Sequence, residues 1–73
     1  MLGRGAVDEA ILMLRVAADL YPESANVWDS LGEAYWRAGD RERAIANYRM
    51  ALERDPGFSS SIEALRRLES PEN

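Results

Sequence analysis

Residues 25–58 read ANVWDSLGEAYWRAGDRERAIANYRMALERDPGF, and the fold follows from this stretch. Two turn-forming pairs punctuate it, Gly39-Asp40 in the middle and Pro56-Gly57 near the end. Between the breaks, apolar residues recur three and four positions apart. Trp28, Leu31 and Tyr35 share one face before Gly39; Ala44, Ile45, Tyr48, Ala51 and Leu52 form a stripe after it. That period is helical, and no stretch alternates apolar with polar as a strand would. The spacing predicts helix two over 25–38 and helix three over 41–54. Ser24 and Asp40 stand where a side-chain oxygen accepts a free first-turn N–H. Gly39 suits the left-handed residue that closes a helix.

Working outward, helix one is expected over 7–20, with Asp8 and Glu9 in its first turn near the positive end of the helix dipole. Pro22 disfavours helical geometry at Tyr21 and ends it. From Ala6 to Tyr21 only Asp8, Glu9, Arg15 and Asp19 are charged. A helix that is apolar all round expects neighbours on more than one side. Helix four is expected over 60–68, with Ser60 and Glu63 at capping-box spacing and Ile62, Leu65 and Leu68 as a narrow apolar face. Residues 70–73 read as a polar, frayed tail.

Composition removes whole classes of chemistry. The 73 residues contain no cysteine and no histidine, and all nine cations are arginine. Disulfides, thiol nucleophiles, Cys/His zinc sites, imidazole catalysis and lysine Schiff bases are excluded. No catalytic residue, cofactor or metal ligand is therefore expected, and the chain reads as non-enzymatic. Thirteen acids give a net charge of −4. Without a basic cluster, neither nucleic acid nor an anionic membrane is an expected partner. The longest near-apolar stretch, Ala10 to Leu14, is far short of the ~20 residues of a membrane span. The first residues do not form an export signal. The compartment stays open, leaning to the cytoplasm.

The chain also repeats itself. Pro22 and Pro56, Ala10 and Ala44, Leu14 and Tyr48, and Ala17 and Ala51 are all separated by one and the same offset; so are Trp28 and Ile62, and Leu31 and Leu65. That offset is the period of the tetratricopeptide repeat (TPR), about 34 residues. Residues 25–58 resemble that family at Trp28, Leu31, Gly32, Tyr35, Ala44, Tyr48, Ala51 and Pro56. Gly32, Ala44 and Ala51 are small where helices approach; the aromatic residues and Leu31 fill the space they leave. The resemblance implies an all-α fold: an antiparallel helix-turn-helix stack of about four helices, a fragment of an α-solenoid. Residues 1–73 then form a single domain. Residues 7–21 would be the second helix of a partial repeat, 25–58 a complete repeat, and 59–69 a capping helix. In that helix Arg66 and Glu69 replace the family's glycine and tyrosine, leaving one face for water.

Residues 21–35 also resemble the TPR tail that follows a serine-hydrolase domain in some bacterial proteins of the β-lactamase and esterase type. That implies a docking or capping tail of a larger, exported hydrolase, with activity outside these residues. It is the alternative to the leading expectation, a non-catalytic protein-interaction module.

The family's ligand-contacting positions on the concave face correspond here to Asn26, Asp29, Glu33, Trp36 and Arg37 on helix two. On helix four they correspond to Ser60, Glu63 and Arg67. Asp29, Glu33 and Trp36 or Arg37 share a stripe by helical spacing. Family members that clamp a terminal carboxylate use lysine, asparagine and arginine there; Asp29 and Glu33 would repel it, so a basic or neutral peptide segment is the expected partner. The same acids with Arg37 also read as a solvated surface ladder. Trp28 reads as core. Trp36 is either a partner anchor or packed on helix one or helix four. Arg37, Arg41 and Arg43, mixed with Asp40 and Glu42, make a poor phosphate site, and Ser59, Ser60 and Ser61 read as cap and linker. Asp29 with Glu33 lacks the dry pocket that acid–base work needs. Gly3 and Gly5 around Arg4 form no phosphate loop. Ile11, Leu12, Met13 and Val16 cannot all face helix two, so self-association through helix one is expected.

Overall fold

The computed structural model describes residues 4–69, which form four helices: α1 (Arg4–Leu20), α2 (Ala25–Arg37), α3 (Arg41–Arg54) and α4 (Ser59–Glu69). No strand occurs among the described residues. The tail at 70–73 and Gly3 lie outside them. Each helix packs on its chain neighbours, α2 on α3 most extensively. The extents, 34 × 30 × 17 Å, correspond in the thin direction to two layers of helix at about 10 Å each.

The repeat period is written into the backbone hydrogen bonds. Tyr21 N–H donates to Ala17 O and Asp55 N–H to Ala51 O. Ser24 N–H donates to Tyr21 O and Phe58 N–H to Asp55 O, each at 3.0 Å. Val27 and Trp28 then donate to Ser24 O, as Ser61 and Ile62 do to Phe58 O. Pro22 and Pro56 occupy the second position of these turns, where the φ of about −65° that the proline ring imposes costs nothing.

Between α2 and α3 the chain reverses within three residues. Gly39 adopts φ 86°. Its N–H donates to Trp36 O, and the next N–H, of Asp40, donates to Tyr35 O. That is a Schellman closure. Asp40 then turns its side chain forward: Oδ1 accepts from Arg43 N at 3.1 Å and Oδ2 from the Arg43 guanidinium at 2.7 Å. One residue closes both helices.

The core lies between α2, α3 and α4. Ala44, Tyr48, Ala64 and Leu65 are buried together, with Tyr35, Ile45, Leu52 and Leu68 against them. Ala18, Ala25, Leu31 and Ala34 are buried too. Gly32 sits on the Tyr48 ring: a Cβ there would stand 2.9 to 3.1 Å from its ring carbons. Trp28 is only half-buried, and its indole N–H donates to Pro22 O at 2.8 Å, tying α2 to the turn before it.

Three local expectations are corrected. α1 begins at Arg4, so Asp8 and Glu9 fall outside its first turn, which holds no acid. Gly5 near a helix start is a mild cost, not a break. α2 stops at Arg37, with Ala38 as its C-cap. α4 begins at Ser59, so Ser60 lies inside the helix and is no cap.

Candidate functional site

Asp29 is the residue that the structure moves furthest from its surface reading. It is 9% exposed and accepts hydrogen bonds from Ser61 Oγ at 2.6 Å and Ser60 Oγ at 3.0 Å. Ser61 is fully buried. Ser60 and Ser61 are therefore neither cap nor linker: they reach back from α4 to a carboxylate on α2. The physical reason lies at residue 58. Where α2 has Ser24 accepting from Val27 N, α4 has Phe58, which offers no side-chain acceptor. Asp29 brings a negative charge to the first turn of α4, where the helix dipole favours it. A buried carboxylate with two hydroxyl donors is satisfied, and its bonds are of the stronger, charge-assisted kind.

The Asp29–Glu33–Arg37 ladder is thus broken at its first rung. Glu33 and Arg37 form an exposed pair at 2.9 Å. Arg43 is held by Asp40 rather than open to a phosphate. Arg41 donates to Leu68 O, and Arg49 pairs with Glu69, fastening the end of α4 to α3.

Beside this joint lies a cleft of about 380 Å³. Its walls are Asp29, Glu33 and Trp36 from α2, Tyr48 from α3, and Ser60, Ala64, Arg67 and Leu68 from α4. Of the positions expected to contact a ligand, Asp29, Glu33, Trp36, Ser60 and Arg67 meet here; Asn26, Arg37 and Glu63 do not line it. Trp36 is 55% exposed and faces the α4 residues of the cleft across open space rather than being buried against them. Sequence spacing treats Tyr48 and Leu68 as packing residues and does not single out Ala64. A signal for Ala64 and Leu68 is nonetheless present: from Ser60 they follow at intervals of four, one stripe of α4.

Electrostatics give the cleft a sign. Burial raises the Tyr48 phenol above its ordinary pKa, and the nearby carboxylates of Asp29 and then Glu33 raise it further; Arg67 and Arg37 oppose them more weakly. Of the charged residues lining the cleft, two are acids, Asp29 and Glu33, and one is a base, Arg67, which has no ion pair among the described residues.

A larger cleft of about 660 Å³ lies between α1 and the α2–α3 turn, lined by Asp8, Ile11, Arg15, Tyr35 and residues 38–43. Its charges alternate in sign, and Asp40 and Arg43 neutralise each other within it. It offers no exposed aromatic anchor. Among the described residues no cluster of acids could hold a metal ion, and no helix is long and apolar enough to cross a membrane.

No curated protein matches the chain, and the hydrolase-tail context read from residues 21–35 is without support. The family model of the tetratricopeptide repeat matches residues 25–58, which are the α2–α3 hairpin and the turn that follows it.

Proposed function

We propose that the chain binds a peptide or protein segment in the cleft between α2 and α4, without chemistry of its own. Tetratricopeptide repeats as a class mediate protein–protein interaction and are typically non-enzymatic scaffolds. The observation that carries the reading here is Trp36: a large indole, 55% exposed, lining a cleft with Tyr48, Ala64 and Leu68. Aromatic residues beside desolvated pockets are the side chains that dominate binding energies. The excess of acids over bases in the lining favours a segment that presents a cation or an amide donor, so a basic or neutral segment is preferred over an acidic one.

The test selects binders from a phage-displayed library of random peptides against this chain. Trp36→Ala should weaken the selected peptides by about tenfold or more, equal to about 1.4 kcal/mol. Glu42→Ala, exposed and outside the cleft, should leave them unchanged. Affinity indifferent to Trp36→Ala would sink the assignment.

A further inference from the structure

Six large apolar side chains are strongly exposed among the described residues, and five of them stand together: Leu12, Met13, Val16, Leu20 and Tyr21, at 53 to 71%. The first four lie along one side of α1. Ile11, expected to join them, is half-buried and lines the cleft toward Tyr35 instead.

The repeat shows a packing surface at three of these positions, whereas Ala46, the counterpart of Leu12, is exposed on α3. A shift of one repeat period places Met13, Val16 and Leu20 on Asn47, Met50 and Arg54 of α3. All three of the latter are half-buried, and Asn47 lines a cleft with Ala18, Trp28 and Leu31 of the preceding helices. At the same positions α1 has larger apolar area and nothing upon it.

We infer that a second copy of this chain covers the face, α1 against α1 in antiparallel, two-fold pairing. Three observations select that occupant. First, the ridge Leu12-Val16-Leu20, spaced by four, is palindromic about Val16. A two-fold related copy sets Val16 on Val16 and Leu12 on Leu20 twice over, as an isologous contact requires. Second, Arg15 and Asp19 are exposed along one flank of the ridge. The same two-fold brings Arg15 of each copy beside Asp19 of the other, so the rim is complementary in charge. Third, the other end of the stack cannot serve. The solvent side of α4 carries Glu63 and Arg66, both exposed, so head-to-tail stacking would set charges on the apolar ridge. One helix face per copy buries at most about 1,200 Å² in total, the size of weak, micromolar contacts.

Sedimentation equilibrium from micromolar to millimolar concentration tests this on the whole chain. The mean mass should rise from that of one copy toward two. Val16→Glu, at an exposed site, should hold the chain monomeric while circular dichroism keeps its helical signal. Arg66→Glu on α4 should leave the association intact. The chain lacks cysteine, so single cysteines report register cleanly. Under mild oxidation Val16→Cys should cross-link to itself. A mixture of Leu12→Cys and Leu20→Cys should cross-link faster than either alone. A monomer at millimolar concentration overturns the proposal and leaves the face to another occupant. So does association that survives Val16→Glu, association lost in Arg66→Glu, or Leu12→Cys pairing fastest with itself.

Discussion

Gly32 of α2 and the Tyr48 ring of α3 meet in tight contact. A methyl group at residue 32 has no free space, and the ring it meets is itself buried, 6% exposed. Gly32→Ala should therefore destabilise by about 1–3 kcal/mol from overpacking, a cost only partly offset by alanine's gain of about 0.5–1 kcal/mol in helix propensity. Chemical denaturation measures it. Tyr48 also titrates in a telling direction. Its folded pKa lies above the unfolded value, so its stabilising contribution is complete below about pH 10 and is lost as pH rises through the folded value. Melting temperatures should fall on that alkaline side, and Tyr48→Phe should flatten the fall. Removing the Asp29 carboxylate leaves the buried Ser61 hydroxyl without its acceptor. Asp29→Ala should cost about 1.5–3 kcal/mol, the range for hydrogen bonds to a charged group, with amide exchange in α4 accelerating most. This role is not legible in the sequence. Helical spacing fixes the azimuth of Asp29 on α2, but its burial depends on where the first turn of α4 arrives, and no local signal within α2 records that. Trp36 is the opposite case: its placement next to Tyr35 already requires one of the two to face outward.

At the scale of elements, the sequence is most legible where one residue type answers one backbone need. Ser24, Gly39 and Asp40 sit at the caps and turn that their chemistry suits. It is least legible at the ends of α1 and α4, where apparent caps compete with backbone bonds. Ser60 resembles a cap because Glu63 follows at the right distance, yet Phe58 O already accepts from Ser61 and Ile62, and the helix starts earlier. Asp40 gives the α2–α3 hairpin an acid-sensitive joint. The hydrogen bond from the Arg43 side chain, and after it the bond from Arg43 N–H, hold the Asp40 carboxyl below its ordinary pKa. A depressed carboxylate contributes stability above its unfolded value, about pH 4, and loses it as pH falls through the folded one. The Arg43 amide should therefore exchange faster below that pH, whereas Asp40→Asn, which keeps an acceptor and cannot titrate, should show no such step.

At the scale of the molecule, the repeat period is visible in the sequence and recurs in the turns, but the two ends of the stack differ in kind. α4 turns charge outward, while α1 turns outward Met13, Val16 and Leu20, whose counterparts on α3 are half-covered. The proposed binding cleft has a different dependence. It belongs to no single repeat unit: α2 and α3 furnish Trp36 and Tyr48, and α4 furnishes the opposite wall. On the proposed function, docking of the last helix and capture of a ligand are linked equilibria. Whenever α4 is detached, half the site is missing, and apparent affinity falls by the fraction of time that it is detached. A ligand in the cleft should, reciprocally, slow the opening of α4. The Asp29–Ser61 bond, though largely hidden from any ligand, would thereby act as a gain setting on the proposed recognition.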